Sequence, residues 1–312
     1  MINFLYCFDE NYNFQALTSI YSLLNNSNEN INISIIHNRP ETFEKIYYKY
    51  INNPIADITF HKFLDNNYNF PRISNTHISA ATYFRIFIDN YLDNEIKSVF
   101  YFDADTVFNK NILNDLKKIS DKMLDRNVLF AASSESGADI ATKRLGMINE
   151  KYFNAGVLGI NLKKWKEEDA QSELTQILKK RYDDILWWDQ DVLNIYSDGD
   201  YLEIDKNLNS RTNFHTFKLN ENVKVYHFLG DLKPWNPDTI GSEYSEVYQK
   251  NYRKLTGKKY HVGLKKSSFK YTIKKIFIDN SLKMLDYPLT FIKSFILSSL
   301  KYFFRTFVNY RN

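Results

Sequence analysis

Apolar runs of strand length alternate with segments of helical spacing along the first hundred residues. Between the first two runs, Phe14, Leu17, Ile20, Tyr21 and Leu24 recur at the spacing of one helix face. Further helices are predicted at 40–51, which begins with Pro40 and an acid, and at 79–92. The predicted strands are 2–8, 31–38, 56–63 and 97–102. This alternation predicts an α/β fold with a mainly parallel sheet flanked by helices.

The second half of the chain carries a weaker form of the same pattern. Strands are predicted at 128–133, 152–162 and 223–230. A charged helix is predicted near 166–182, a turn leading into a helix at 187–196, and a turn at 230–235. No strand rhythm follows residue 251. We therefore expect one large domain over 1–250 and a helical extension over 251–312.

Charge separates these two parts. The net charge is +4, but residues 251–312 hold fourteen Lys and Arg against Asp279 and Asp286, a charge of +12, which leaves −8 on 1–250. Polar residues in 290–309 recur every three to five positions and make one helical stripe. This predicts an amphipathic, membrane-associating segment that binds an anionic surface. The other interpretation is that its apolar face packs on the first domain. The acidic body argues against nucleic acid as a partner.

Cysteine usage and the N-terminal segment predict a location. Cys7 is the single cysteine of the 312 residues, so no internal disulfide can form, as in a reducing compartment. The first residues reach Asp9 without a basic leader, and no uncharged apolar stretch of about 20 residues occurs. We expect a cytoplasmic protein.

Two acids close the predicted strand 97–102. Asp103 and Asp105, separated by Ala104, would repel each other on one side of an extended chain. A hard divalent cation such as Mg²⁺ or Mn²⁺ removes that repulsion and completes its shell with phosphate oxygens. In the alternative interpretation, Asp103 caps the next segment and Asp105 is simply hydrated. The spacing alone leaves both open.

Several motifs occur together in a fixed order. They are DENY (9–12), HISAATYFRI (77–86), YFDADTVF (101–108), FNAGVLGINLKKW (153–165), DQDVLN (189–194) and HFLGDLKPW (227–235). This set resembles glycosyltransferase family 8, most closely the bacterial lipopolysaccharide galactosyl- and glucosyltransferases, which are relatives of glycogenin. The resemblance covers residues 1 to about 250. It implies a GT-A fold, UDP-galactose or UDP-glucose as donor, Mn²⁺ or Mg²⁺ as cofactor, and transfer with retention.

The resemblance also assigns residues. Metal binding falls to Asp103, Asp105 and His227. Catalysis falls to Asp189 and Gln190, the acid that binds the sugar and the amide beneath its anomeric carbon. Donor binding falls to Asp9, Asn11, Tyr12, His77, Ile78, Arg85, Ala104, Asn154, Ala155, Gly230 and Lys233. Gly156 is expected to leave room for the sugar, and Asp191 to cap the next helix.

Two features leave the chemistry open. Retention can proceed through a covalent intermediate on a carboxylate, but Gln190 is a poor nucleophile. The alternative is front-face transfer, in which the departing phosphate takes the acceptor proton. The family often has an Asp after the strand near 128–133, and here Glu135 in AASSES is the nearest acid. Donor identity is therefore not fixed by the sequence.

The expected acceptor is a lipid-linked lipopolysaccharide or lipooligosaccharide core at the inner face of the cytoplasmic membrane. A surface glycoprotein or a wall glycan is the alternative acceptor. Metal-dependent phosphoryl or nucleotidyl transfer is a second reaction class, which leaves FNAG and HFLGDLKPW unexplained. A membrane-associated nucleotide-sugar-binding protein without activity is the non-enzymatic alternative, against which the intact acids and His227 argue.

Overall fold

A computed structural model describes residues 1–64, 70–71, 79–211, 219–230, 233–236, 239, 242–262, 296 and 300. Two compact units are present. The first comprises Met1–Arg211 and Glu221–His227, and the second Thr212–Asn220 and Phe228–Asn312. The expected boundary at residue 250 falls inside a helix of the second unit.

The strands of the first unit form two sheets. Their bounds are β1 Ile2–Phe8, β2 Ile31–His37, β3 Ala56–Lys62, β4 Ser98–Phe102, β5 Thr106–Phe108, β6 Phe130–Ser134, β7 Phe153–Asn161, β8 Leu202–Glu203, β9 Ser210–Arg211 and β10 Val225–His227. The larger sheet has the order β3-β2-β1-β4-β7-β6-β8, and the smaller sheet has the order β5-β10-β9. Pairings β1–β2, β2–β3, β1–β4 and β6–β8 are parallel, whereas β7 runs antiparallel to β4 and β6. The prediction of a mainly parallel sheet is confirmed.

Eight α-helices are described. They are α1 Asn13–Asn25, α2 Pro40–Tyr50, α3 Leu113–Asp125, α4 Ala138–Leu145, α5 Leu162–Glu167, α6 Ala170–Lys180, α7 Trp188–Ser197 and α8 Glu243–Thr256. The predicted helix near 166–182 was wrong as one element. It is two helices, since Asp169 adopts a left-handed φ of 47° between them. Helices α3 and α4 were not among the predicted elements.

The segment expected as a helix at 79–92 is instead a 3₁₀ run, Ala80–Asn90, with a kink at Phe87. Aromatic packing holds it against the sheet. Phe84 stacks on Phe63 with ring centroids 3.8 Å apart, and Tyr83 stacks on Phe70 at 4.8 Å. Burying such rings supplies much of the stabilisation at this edge of the core. The same run places Thr82 and Arg85 next to the site described below.

The second unit is described through α8 and the residues around it. Tyr248 and Tyr252 on α8, together with Trp235, pack around the ring of His261. Gln249 ties this group together, donating to the Pro234 carbonyl at 2.9 Å and to the His261 carbonyl at 2.8 Å. Among the residues that the structure describes, no helix has the length and apolarity needed to cross a bilayer.

Candidate active site

The turn between β4 and β5 carries Asp103 and Asp105. The hydrogen bonds between β4 and β7 extend one residue past β4, because the Asp103 amide donates to the Gly156 carbonyl on β7 at 2.8 Å. The Thr106 hydroxyl then donates to the Asp103 carbonyl at 2.8 Å and closes the turn. After the turn the chain leaves the large sheet and joins the small one as β5. Both acids therefore lie where the two sheets meet.

The β5–β10 ladder brings His227 to this turn. His227 pairs with Thr106 in antiparallel register, so its side chain lies next to the two acids. Its Nε2 is 3.4 Å from Asp103 Oδ2 and 3.5 Å from Asp105 Oδ1. One ligand atom from each of the three residues lies within 4.8 Å of the others. Two carboxylates and an imidazole form a donor set for Mn²⁺ or Mg²⁺ that leaves room for substrate oxygens.

Gly156 makes this cluster possible. A Cβ at residue 156 would lie 1.9 Å from the imidazole Cε1 of His227 and 2.7 Å from Asp103 Oδ2. Gly156 thus leaves room for the imidazole of His227, and its expected role in leaving room for the sugar stays a prediction. The residues present thus fit a divalent cation both in chemistry and in packing.

Charges and hydrogen bonds within the cluster oppose the effect of burial on the pKa of His227 and Asp103. Burial alone would lower the pKa of His227, but hydrogen bonds and charges from Asp103 and Asp105 raise it. Burial alone would raise the pKa of Asp103, but His227 and Arg85 lower it. Each partner thus favours the charged form of the other, as a metal cation between the carboxylates would.

Arg85 and Asp189 form a buried ion pair beside the cluster. Arg85 Nε donates to Asp189, and the Thr82 hydroxyl donates to the other carboxylate oxygen. Arg85 Nη1 donates to the Ala155 carbonyl at 2.6 Å and lies 3.7 Å from Asp103 Oδ1. Burial raises the pKa of Asp189 and Arg85 opposes that shift. Arg85, which was expected near the donor diphosphate, therefore interacts with both Asp189 and Asp103. Only 4% of its surface is exposed.

A bulge in β7 explains why the Ala155 backbone is available. Ala132 pairs with Leu158, whereas Ser133 pairs with Asn154, so three residues of β7 have no partner on β6. The Ala155 amide instead donates to Gln190 Oε1 at 3.0 Å, beside the bond from Arg85 to its carbonyl. The bulge thus frees the Ala155 backbone to bind the side chains of Gln190 and Arg85.

Gln190 is held at both ends of its amide. Its oxygen accepts from Ala155 and, at 3.3 Å, from Asn154 Nδ2. Its nitrogen donates to the Tyr152 hydroxyl at 3.2 Å. Asn154 Nδ2 also donates to Glu135 Oε1 at 2.9 Å. Glu135, paired with Arg211, thus lies beside a predicted sugar contact, as its place in the sequence suggested.

Asp191 fastens the turn that precedes α7. It is fully buried and accepts from the backbone amides of Leu186 and Trp187 at 2.8 and 2.9 Å. Arg144 Nη2 and the Tyr152 hydroxyl donate to it as well. Asp191 is not the N-cap of α7, which is Trp187, but lies within the helix and ties its first turn, which carries Asp189 and Gln190, to the segment before it.

The predicted nucleotide residues follow β1. Asp9 caps the 3₁₀ helix Glu10–Tyr12, accepting from the Asn11 amide at 3.0 Å and from Asn11 Nδ2 at 3.3 Å. Burial raises the pKa of Tyr12, with Asp105 and Asp103 adding to the shift. Tyr12 is thus near the two acids. Ala104, between the acids, is buried.

Four predicted residues lie outside the described part of the first unit. His77 and Ile78 lie outside the described residues. Gly230 and Lys233 belong to the second unit, where Gly230 has a φ of 66° and Lys233 Nζ donates to the Phe228 carbonyl at 2.6 Å. Their roles stay predictions.

Residues 3–239 match a family model for glycosyl transferase family 8. The chain belongs to this family. A putative glycosyltransferase of Haemophilus influenzae is 28% identical over 253 residues, which are 75% of this chain and 73% of the relative. The lipopolysaccharide 1,3-galactosyltransferase of Salmonella typhimurium is 30% identical over 176 residues, 50% of this chain and 49% of that enzyme.

Solved structures agree with the family assignment at the level of the fold. The galactosyltransferase LgtC, in complex with donor and acceptor sugar analogues, superposes with a TM-score of 0.66 at 21% identity, covering 82% of this chain and 96% of LgtC. Apo GlyE of Streptococcus pneumoniae gives a TM-score of 0.60 at 21% identity, covering 80% of this chain and 60% of GlyE. The family 8 chain therefore has the GT-A fold.

Proposed function

We propose that this family 8 glycosyltransferase transfers galactose or glucose from a UDP-sugar to a surface glycan with retention of anomeric configuration. One observation carries the proposal. The Asp103, Asp105 and His227 cluster lies in one polar network with Asp189 and Gln190, linked through Arg85 and the Ala155 backbone. A metal–diphosphate site and a sugar site are needed next to each other for glycosyl transfer.

Asp103, Asp105 and His227 are the residues that hold Mn²⁺ or Mg²⁺ in this proposal. The bound ion supplies positive charge that stabilises the departing diphosphate. Asp9, Asn11 and Tyr12 bind the nucleoside. Asn154 contacts the sugar.

The hydrogen bonds of Gln190 favour front-face transfer. A primary amide is a weak nucleophile, and here both ends of it are already engaged with Ala155 and Tyr152. In the proposed reaction the bond from the anomeric carbon to the UDP oxygen breaks and a bond to the acceptor oxygen forms on the same face. The acceptor proton passes to the departing diphosphate. Asp189, which accepts hydrogen bonds from Arg85 and Thr82, stabilises the positive charge that develops on the sugar.

The proposed acceptor is a lipid-linked lipopolysaccharide or lipooligosaccharide core. It is supported by the partial match to the Salmonella enzyme, whose name states that activity. The basic tail 251–312 supports action at the inner face of the cytoplasmic membrane, where fourteen basic residues meet anionic lipid. The amphipathic stretch 290–309 lies outside the described residues except for Ile296 and Leu300, which are helical and each 49% exposed.

A donor screen tests the proposal. Purified protein is incubated with UDP-galactose, UDP-glucose and their GDP counterparts in Mn²⁺, and UDP release is measured with and without chelator. We expect release from one UDP-hexose, dependence on Mn²⁺ or Mg²⁺, and an α-linked product by NMR. Release of pyrophosphate would instead indicate nucleotidyl transfer. A β-linked product from the α-linked donor, or the absence of UDP release with every acceptor extract, would overturn the proposal.

A further inference from the structure

Asn209 connects a predicted metal ligand to a predicted sugar contact. It ends the 3₁₀ helix Lys206–Asn209 and is 2% exposed. Its Oδ1 lies 2.8 Å from Nδ1 of His227, and its Nδ2 donates to Asn154 Oδ1 at 2.9 Å. No sequence motif indicated this residue.

The orientation of these amides is fixed by a backbone donor. The amide of Gly156 donates to Asn154 Oδ1 at 3.1 Å, and a backbone N–H can only donate, so this atom of Asn154 is its oxygen. Asn209 must therefore present its NH₂ group to Asn154 and its oxygen to His227. Because an amide oxygen only accepts hydrogen bonds, Nδ1 of His227 must carry a hydrogen.

This protonation decides which nitrogen can ligate a cation. With a hydrogen on Nδ1, a neutral imidazole has its lone pair on Nε2. Nε2 is the nitrogen that lies 3.4 Å from Asp103 and 3.5 Å from Asp105. If Nδ1 had no acceptor, the ring could turn or adopt the other tautomer, and the third ligand atom would be lost from the cluster.

We propose that Asn209 is a positioning residue that holds His227 in the tautomer and rotamer needed for metal binding, and that through Asn154 it links the metal to the sugar site. The inference rests on the proposed function, because it assumes a metal-dependent sugar donor site. Asn209 acts through its two neighbours and contacts no substrate itself.

Two substitutions separate the two contacts. Asn209→Leu has a similar volume and removes both. Asn209→Asp keeps an oxygen facing His227 but sets a second carboxylate oxygen against Asn154 Oδ1, so it breaks only the sugar-side contact. Asn207→Leu is the matched control, since Asn207 lies on the same 3₁₀ helix and its side chain bonds only locally, donating to Asp205 at 2.9 Å.

Three measurements report on the variants. Mn²⁺ affinity of the metal-free protein is measured by electron paramagnetic resonance. The Nδ1-bound proton of His227 is followed by NMR in ¹⁵N-histidine-labelled protein with Mg²⁺, and is assigned with His227→Gln. KM for the UDP-sugar and kcat are measured by UDP release. The first two need no turnover.

Asn209→Leu is expected to weaken Mn²⁺ binding about 10- to 100-fold and to lose the Nδ1 proton signal. Asn209→Asp is expected to keep that signal and near-normal Mn²⁺ affinity, while KM rises about tenfold because Asn154 faces a second acceptor. Asn207→Leu should match wild type in all three measurements.

An Asn209→Leu protein with wild-type Mn²⁺ affinity and an intact Nδ1 signal would overturn the inference. If that variant does not fold, Asn209→Asp decides. Equal losses in Mn²⁺ affinity and in KM, or no loss in either, would then overturn it. If the wild-type protein binds no Mn²⁺, the proposed function is wrong. If wild type and variants bind Mn²⁺ equally well, only the inference about Asn209 is wrong.

Discussion

The imidazole of His227 lies against the backbone of Gly156, so closely that a Cβ there would come within 1.9 Å of the ring. Gly156→Ala must therefore displace His227 or bend β7. We expect this variant to lose Mn²⁺ binding by at least tenfold, since one of three ligands moves, with activity lost in parallel. Titration of metal-free protein with Mn²⁺ checks this.

Gly159→Ala is the control for this prediction. Gly159 is on the same strand, but a Cβ there would lie 3.1 Å from Ala131, Met123 and Phe100, in the core and away from His227. It should lower stability and leave Mn²⁺ affinity unchanged. Normal Mn²⁺ binding by Gly156→Ala would contradict the cluster as described.

Asp103→Asn should lower the stability of the metal-free protein and abolish transfer. Repulsion between Asp103 and Asp105 considered alone predicts unchanged or higher stability. The structure reverses that expectation, because His227 and Arg85 lower the pKa of Asp103 and so favour its charged form in the folded state. Denaturant unfolding in chelator measures the change. Asp125→Asn, at the exposed end of α3, is the control, and a more stable Asp103→Asn protein would contradict the prediction.

Asp191→Ala should destabilise the protein by about 3 kcal/mol. It removes a fully buried carboxylate that accepts from Arg144, Tyr152 and two backbone amides, which are then left without their acceptor. Asp183→Ala removes the same charge from an exposed position nearby in the chain and should change stability little. Chemical denaturation measures the free energy of unfolding of the two variants. Equal values would show that Asp191 does not stabilise the start of α7.

His261 should make stability fall in mild acid. Burial, with a smaller contribution from Lys258, lowers its pKa to about 4. The unfolded chain therefore takes up a proton near pH 6.5, whereas the folded chain does so only near pH 4. Stability is full above pH 6.5 and decreases by about 3 kcal/mol as the pH falls to 4.

The matched variant for His261 is His261→Phe, which keeps a ring beside Trp235 and Tyr252 but cannot titrate. The pH dependence of unfolding in wild type, minus that of the variant, isolates this residue. Parallel profiles between pH 4 and 6.5 would show that His261 titrates normally.

Removal of residues 266–312 should release the protein from membranes and leave the catalytic unit folded. The deletion removes nine basic and two acidic residues beyond α8 and His261, and each basic residue near an anionic leaflet contributes about 1 kcal/mol. Full-length protein should pellet with phosphatidylglycerol vesicles at low salt and less so at high salt. If the truncated protein aggregates or unfolds, the tail packs on the folded chain instead.

Local patterns predicted well the three strands on one side of the large sheet, β3, β2 and β1. The strands expected at 2–8, 31–38 and 56–63 match β1, β2 and β3 to within one residue, because buried apolar runs followed by polar turns leave few alternatives. The 3₁₀ run Ala80–Asn90 was expected as a helix, since its apolar spacing resembles one. Aromatic stacking on Phe63 and Phe70 decides its conformation, and such packing is not visible in the sequence.

The residues of the candidate site could be predicted where they belong to a sequence motif, and not where they lie outside one. Asp103 and Asp105 end an apolar strand, and His227 sits in a motif of the family, so each could be named. Asn209 and Tyr152 could not, because their importance comes from neighbours far away in the chain: His227, Asn154 and Gln190. The packing of His227 against Gly156 was missed for the same reason, since the ring that needs the space comes from another strand.

The junction of the two sheets also sets when the site can exist during synthesis. Asp103 and Asp105 leave the ribosome early, but β10 and His227 are made only as the first unit is completed. Until then β5 has no partner on its β10 side and the two carboxylates have no imidazole between them. A nascent chain therefore lacks the third residue of the proposed metal site until the first unit is complete.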